Sequence, residues 1–186
     1  MMKMTTMMIV SWVGLATVGA VQPPQTAGHT VTAVPSVDLD RYAGEWFEIA
    51  RYQNYFQRKC VGNVTATYVR RADGKIDVIN RCRLEDGKTT EATGLARIDD
   101  AKTRSKLKVR FAPAMLSFLP FVWGDYWVIG LADDYRWALV GTPDRKYLWI
   151  LARATTMSAD AYAQAIGTAR ANGFDTSRLV RTPQVP

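Results

Sequence analysis

Apolar and polar residues alternate along most of the chain between Trp46 and Ala152. Period two is the mark of strands with one buried face. The clearest run is 104–111, where Arg104, Lys106, Lys108 and Arg110 interleave with Leu107, Val109 and Phe111. The pattern predicts strands over 46–52, 64–70, 76–83, 89–97, 104–111, 126–131, 137–141 and 147–152. Turn chemistry separates them. Ala72-Asp73-Gly74 and Glu85-Asp86-Gly87 supply a turn former followed by a residue that tolerates positive φ. Asp99 to Thr103, Asp133-Asp134 and Thr142-Pro143-Asp144 make three further turns. Strands joined in consecutive antiparallel order leave no open edge if they close on themselves. The predicted class is all-β, an eight-stranded antiparallel up-and-down β-barrel.

Two segments depart from period two. Ala159 to Asn172 reads as a C-terminal α-helix, with Ser158 at its N-cap and Asp160 in its first turn. Gly173 fits the left-handed position past its end, and Phe174 packs behind it. Tyr162, Ala165, Ile166 and Ala169 share one stripe, which is expected to dock on the barrel wall. The second segment is 112–123, bounded by prolines and carrying Met115, Leu116, Phe118, Leu119, Phe121 and Trp123. It reads as a lid, a membrane-touching tip or a subunit contact.

The 186 residues suffice for one domain with a real core. The first 20 read as a signal peptide: Lys3, an apolar run from Met7 to Ala20, and small residues Val18-Gly-Ala20 at its end. That run is about 14 residues, short of the ~20 that span a bilayer. Cleavage is expected after Ala20 or after Ala27. Residues 21–35 read as a flexible lead-in and 36–182 as the folded domain. No cysteine near the cleavage site is available for a lipid anchor. The mature chain is therefore expected to be soluble, in the periplasm or secreted.

The formal charge of +7 is scattered, except in the stripe of Arg104, Lys106, Lys108 and Arg110. That stripe reads either as a solvated strand face or as a docking strip for an anionic membrane surface. Nucleic acid is not an expected partner of an exported chain without a binding motif. Cys60 and Cys82 are expected to pair in an oxidising compartment. A hairpin at Asp73-Gly74 sets Cys82 opposite Val64 or Thr65, so the segment before Val64 must fold back to deliver Cys60. Two free thiols are the other outcome. Two distant cysteines and His29 make no zinc set, and no metal or cofactor is expected. No nucleophile elbow, phosphate loop or cysteine–histidine constellation is present, and the acid pairs Asp99-Asp100 and Asp133-Asp134 sit in turns. An enzyme is not expected. A transmembrane barrel is excluded by the cationic stripe, which would face lipid.

Gly44-Glu45-Trp46 opens the first strand, and Arg153 ends the last. An indole is a flat plug, and a guanidinium can stack on it while donating to backbone carbonyls. Together they would shut one end of the barrel and leave a cup. Here the chain resembles the lipocalins. Gly44-Glu45-Trp46, Asp133-Asp134-Tyr135 and Arg153 look like that family's three short signatures, with Asp133 in place of a threonine. Tyr42-Ala-Gly-Glu-Trp-Phe-Glu-Ile-Ala-Arg51, Val64-Thr-Ala-Thr-Tyr68, Val78-Ile-Asn80 and Tyr147-Leu-Trp-Ile-Leu-Ala-Arg153 resemble the bacterial outer-membrane lipocalins, relatives of apolipoprotein D. The resemblance covers Val37 to Arg181. It implies non-catalytic binding, storage or transport of a fatty acid or lysophospholipid in the bacterial cell envelope. Many bacterial members carry a lipid-anchor cysteine that this chain lacks, which sets outer-membrane attachment in doubt. The competing reading is an envelope interaction module using 112–123 as a dimer or membrane contact.

Alternation then assigns the ligand wall. Tyr147, Trp149 and Leu151 share the face of Arg153, and Leu107, Val109 and Phe111 face away from the cations. Counting as the family does adds Tyr126 and Val128. Tyr68 and Asn80 match pocket-lining positions of the apolipoprotein D group, with Val78 on the same face. Such a wall is aromatic and aliphatic with a few hydroxyls and one amide, which suits an acyl chain with a polar head.

Overall fold

The computed structural model describes residues 30–185. The expected signal peptide, both cleavage sites and His29 fall outside that range. A four-residue helix, α1 (Leu39–Tyr42), precedes the strands β1 (Gly44–Tyr52), β2 (Gly62–Arg70), β3 (Ile76–Arg83) and β4 (Thr89–Ile98). They continue as β5 (Lys106–Arg110), β6 (Gly124–Leu131), β7 (Trp137–Gly141) and β8 (Leu148–Ala152). Each strand pairs antiparallel with the next, and β1 pairs with both β8 and β2. The barrel is closed, as the alternation predicts. Helix α2 (Ala159–Ala171) and a short strand, β9 (Leu179–Arg181), follow.

Two apolar clusters hold it together. One fills the lower barrel around Trp46, Val78, Leu107 and Val128. The other lies outside, between α2 and the wall, around Ile129, Trp137, Leu139, Ile150 and Phe174. β7 is buried along its whole length because both of its faces are covered. Ala165 and Ala169 are fully buried, with Tyr162 and Ile166 partly buried beside them. Ser158 caps α2 through the Ala161 N–H. Gly173 has φ +76°, its N–H donates to the Arg170 carbonyl, and that of Phe174 to the Ala169 carbonyl. This bond pair ends the helix and turns Phe174 into the core.

The wedge between β1 and β2 departs from a plain eight-stranded closure. These strands pair only from Gly44↔Tyr68 to Phe47↔Thr65. Beyond that, β1 is irregular between Glu48 and Ala50 and β2 between Gly62 and Thr65, where Asn63 has φ +49°. The C-terminal segment fills the gap. β9 pairs with Ala50 to Tyr52, the Thr182 N–H donates to the Ile49 carbonyl, and the Asn63 N–H donates to the Pro183 carbonyl. The Gln184 amide bridges the carbonyls of Glu48 and Val64. The irregularity in β2 also provides the fold-back that Cys60 needs. Val61 N–H bonds the Arg83 carbonyl, and Cys60 and Cys82 form a disulfide with Cα atoms 5.5 Å apart.

Two expectations change. Residues 30–35, read from composition as a flexible lead-in, are packed: Val31 is buried under α2 and the Val34 N–H donates to the Val128 carbonyl. The four cations do not form a free strip. Arg104 sits in the turn before β5 with φ +55°. Lys106 lies 4.3 Å over the Trp127 ring, Lys108 pairs with Asp125 at 2.6 Å, and Arg110 is 7% exposed. Trp127 and Asp125 engage the two lysines, and the carbonyls of Ala112 and Pro113 engage Arg110.

Candidate functional site: a calyx with one sealed end

The closed end is built from three separate stretches of chain. The Arg153 guanidinium carbon lies 3.9 Å from the centre of the Trp46 ring. Its Nη2 donates to the carbonyls of Arg41, Tyr42 and Ala43 at 2.7, 3.1 and 2.8 Å, and Nη1 to that of Glu45 at 2.7 Å. One side chain thus satisfies carbonyls that the end of α1 leaves unpaired. The Trp46 N–H donates to the Tyr42 carbonyl at 2.8 Å. Gly44 has φ +93°, a conformation that favours glycine, and a Cβ there would crowd Arg153 Nη1 at 3.3 Å. The Asp133-Asp134-Tyr135 turn joins the same end. Arg41 stacks 4.0 Å over Tyr135 and donates to the Asp133 carbonyl, and Asp38 N–H donates to the Tyr135 hydroxyl.

Tyr68, Val78, Leu107 and Val128 lie directly above, all buried, and form the floor. Hydroxyls cross it in a chain: Tyr42 to Tyr126 at 2.7 Å and Tyr68 to Tyr126 at 2.8 Å. Burial pushes the Tyr68 phenol up to about 12, and those of Tyr42 and Tyr126 well above the usual value. All three are neutral at ordinary pH.

Asn80, Val109, Tyr126 and Trp149 form the middle of the wall. Register sets them opposite Ala66, Ala96, Leu107 and Val140, on the inner face. All four are only partly buried, unlike the floor residues beneath them. Phe111 and Tyr147 stand at the mouth, just outside the strands. The Phe111 ring lies where Gly94 has no side chain; a Cβ there would come within 2.8 Å of it. Phe56, from the loop after β1, lies 5.2 Å from Tyr147 and 6.5 Å from Trp149, partly roofing the mouth. The ten residues expected from alternation and from the family resemblance therefore fall at three depths of one cup.

Alternation had not singled out the polar cluster on the β8–β1–β9 wall. Glu48 is 3% exposed, and Arg51 Nη1 meets its Oε1 at 2.6 Å. Gln57 donates to the other carboxylate oxygen at 2.6 Å. Thr182 donates to Glu48 and accepts from Arg51. The Trp149 N–H donates to Gln57 Oε1 at 3.0 Å, and so does the Asn54 amide at 2.6 Å. Glu48 was legible, since it lies two residues from Trp46 on the same face. Arg51 was not, because the irregularity at Ile49 reverses the parity of everything after it.

Comparison with known proteins agrees with this architecture. Residues 37–184 match the family model described as a lipocalin-like domain. Outer membrane lipoprotein Blc of Escherichia coli K12 is 42% identical over 160 residues, 86% of either chain. Temperature-induced lipocalin-1 of Arabidopsis thaliana is 41% identical over 161 residues, again 86% of each. The solved structure of insecticyanin from the tobacco hornworm Manduca sexta superposes with a TM-score of 0.65 at 19% identity, covering 83% of this chain and 85% of that one. With its signature tryptophan, tyrosine turn and arginine gathered at one sealed end, and nearly all of its folded part matched, the chain belongs to the lipocalin family.

Proposed function

We infer that the protein holds or carries a single-chain acyl lipid, a fatty acid or a lysophospholipid, in its calyx within the bacterial cell envelope. As a lipocalin it is a binding protein for hydrophobic ligands and not an enzyme. One observation carries the finer reading: an inward wall that is sealed below and only partly buried above, at Val109, Tyr126 and Trp149. An acyl chain fits that gradient. Burying twelve methylenes at ~0.8 kcal/mol each contributes roughly 10 kcal/mol before ordering and association costs. The Escherichia coli relative is named an outer membrane lipoprotein, which supports an envelope setting. Among the described residues no helix is long and apolar enough to cross a membrane. Native mass spectrometry of protein purified from its own compartment, with lipid extraction, tests the reading. Co-purifying acyl lipid, or saturable uptake of fatty acid or lysophospholipid by delipidated protein, supports it; saturable binding of neither removes it.

A second reading concerns the open end. Tyr55, Phe56, Phe111, Met115, Phe118 and Phe121 are exposed there, in the loops after β1 and β5. Such a rim suits a dimer or membrane contact. Vesicle flotation and sedimentation equilibrium of wild type against Phe118→Ser/Phe121→Ser separate the two contacts.

A further inference from the structure

A cleft of about 480 Å³ lies between the end of β1 and the loop that follows it, lined among others by Arg51, Asn54, Tyr55, Gln57 and Arg58. We propose that this cleft binds the anionic head, carboxylate or phosphate, of the amphiphile whose chain lies in the calyx. The proposal rests on the acyl-lipid reading above and narrows it to negatively charged single-chain lipids.

The lining carries two guanidinium groups and no carboxylate. Arg58 stacks 4.0 Å over the Tyr55 ring, which orients it, and its guanidinium meets no acceptor among the described residues. Arg51 gives Nη1 to Glu48 and Thr182, while among the described residues its Nη2 reaches only the Cys60 carbonyl, at 3.4 Å. Its Nε is buried and meets no acceptor among the described residues. The Arg58 guanidinium and Arg51 Nη2 are thus the donors left for an anion in the cleft, and a charge-assisted bond to a guanidinium is the strong kind. Glu48 already balances the charge of Arg51, and its oxygens are taken by Arg51, Gln57 and Thr182, so the uncompensated cation of the cleft is Arg58. The cleft also adjoins the calyx: Gln57 lines it and accepts the Trp149 N–H from the inner wall. One residue, Gln57, therefore borders both the cleft and the inner wall. The Cys60–Cys82 disulfide anchors the far end of the loop and fixes the cleft in place.

The test measures binding of oleate, 1-oleoyl-lysophosphatidate and the neutral oleyl alcohol to delipidated protein, wild type and Arg58→Gln. Wild type is expected to prefer both acids to the alcohol, and Arg58→Gln to shrink that preference by roughly ten-fold. Arg58→Lys, which keeps the charge but not the fork, is expected to retain part of it. A larger loss for oleate identifies carboxylate as the better head, and a larger loss for lysophosphatidate identifies phosphate. Saturable binding with the same acid-to-alcohol ratio in wild type and Arg58→Gln overturns the cleft and leaves the lipid reading standing. Saturable binding of none of the three removes both.

Discussion

Arg153 stacks 3.9 Å over Trp46 while donating to carbonyls of Arg41, Tyr42, Ala43 and Glu45. The same cation therefore plugs the barrel and ties α1 beneath it. Trp46→Ala is expected to lower stability by about 3–5 kcal/mol, as for a core aromatic truncation. Arg153→Lys keeps the charge and is still expected to cost about 1–3 kcal/mol, because one ammonium cannot reach all four carbonyls. Chemical denaturation measures both, and an unchanged midpoint for Trp46→Ala would contradict the assignment.

The buried pair makes a second test. Glu48 and Arg51 have side chains 3% and 11% exposed. Arg51→Met leaves a carboxylate in the wall without its cation, which is expected to cost about 3–5 kcal/mol. The double variant Glu48→Gln/Arg51→Met removes the stranded charge and should recover most of that loss. A double variant no more stable than Arg51→Met would show that the pair does not act as a unit.

The disulfide spans 22 residues. Serine at both positions is expected to cost about 3 kcal/mol on the chain-entropy account, whose origin is model-dependent. The loop carrying Phe56 and Gln57 should exchange its amides faster in that variant, since Cys60 is its C-terminal anchor. Two thiols titrated in denatured, unreduced protein from an oxidising compartment would refute the bond.

Alkaline stability follows from the floor. Tyr68 is raised to about 12, and Tyr42 and Tyr126 are also raised, all chiefly by burial. Below pH ~10 these phenols are neutral in both folded and unfolded chains and have no pH-dependent effect. Above it the unfolded chain loses protons that the native state keeps, so stability falls as pH rises. For Tyr68 alone the loss by pH ~12 is about 2–3 kcal/mol. Denaturant midpoints at pH 8 and pH 11 check the slope. Tyr126→Phe should flatten it; a native protein whose tyrosines all ionise near 10 would rule the account out.

Trp149 reports on the calyx. It is on the inner wall, only partly buried, and stacks on Tyr147 at 5.8 Å. Bound lipid should shift or quench its fluorescence, and Trp149→Phe should remove part of that change. Trp149→Arg should abolish uptake with the barrel still folded, because the ligand would bury against an unpaired cation. Undiminished uptake by Trp149→Arg would move the ligand elsewhere.

Local pattern decided much of this protein before any contact was known. Period two from Trp46 to Ala152, with Asp and Gly at the turns, specified the strands and their order, because each strand's faces follow from its own residues. The same local logic placed α2, its caps at Ser158 and Gly173, and the inward residues Leu107, Val109, Phe111, Tyr147 and Trp149, while Tyr68, Asn80, Tyr126 and Val128 came from the family resemblance. What it missed depends on long-range fit. β9 is three residues long and carries no periodic signal; it forms because β1 and β2 part and leave backbone groups that Thr182, Pro183 and Gln184 satisfy. Arg51 points inward only because β1 slips register after Glu48, and a slip of one residue inverts every face beyond it. The cations at 106–110 were placed correctly on the outer face, yet Trp127, Asp125 and the carbonyls of Ala112 and Pro113 engage them there. Where a strand keeps its register, the face a side chain takes is written in its neighbours along the chain. What it meets there is decided by strands that arrive from elsewhere, and only the closed barrel brings those together.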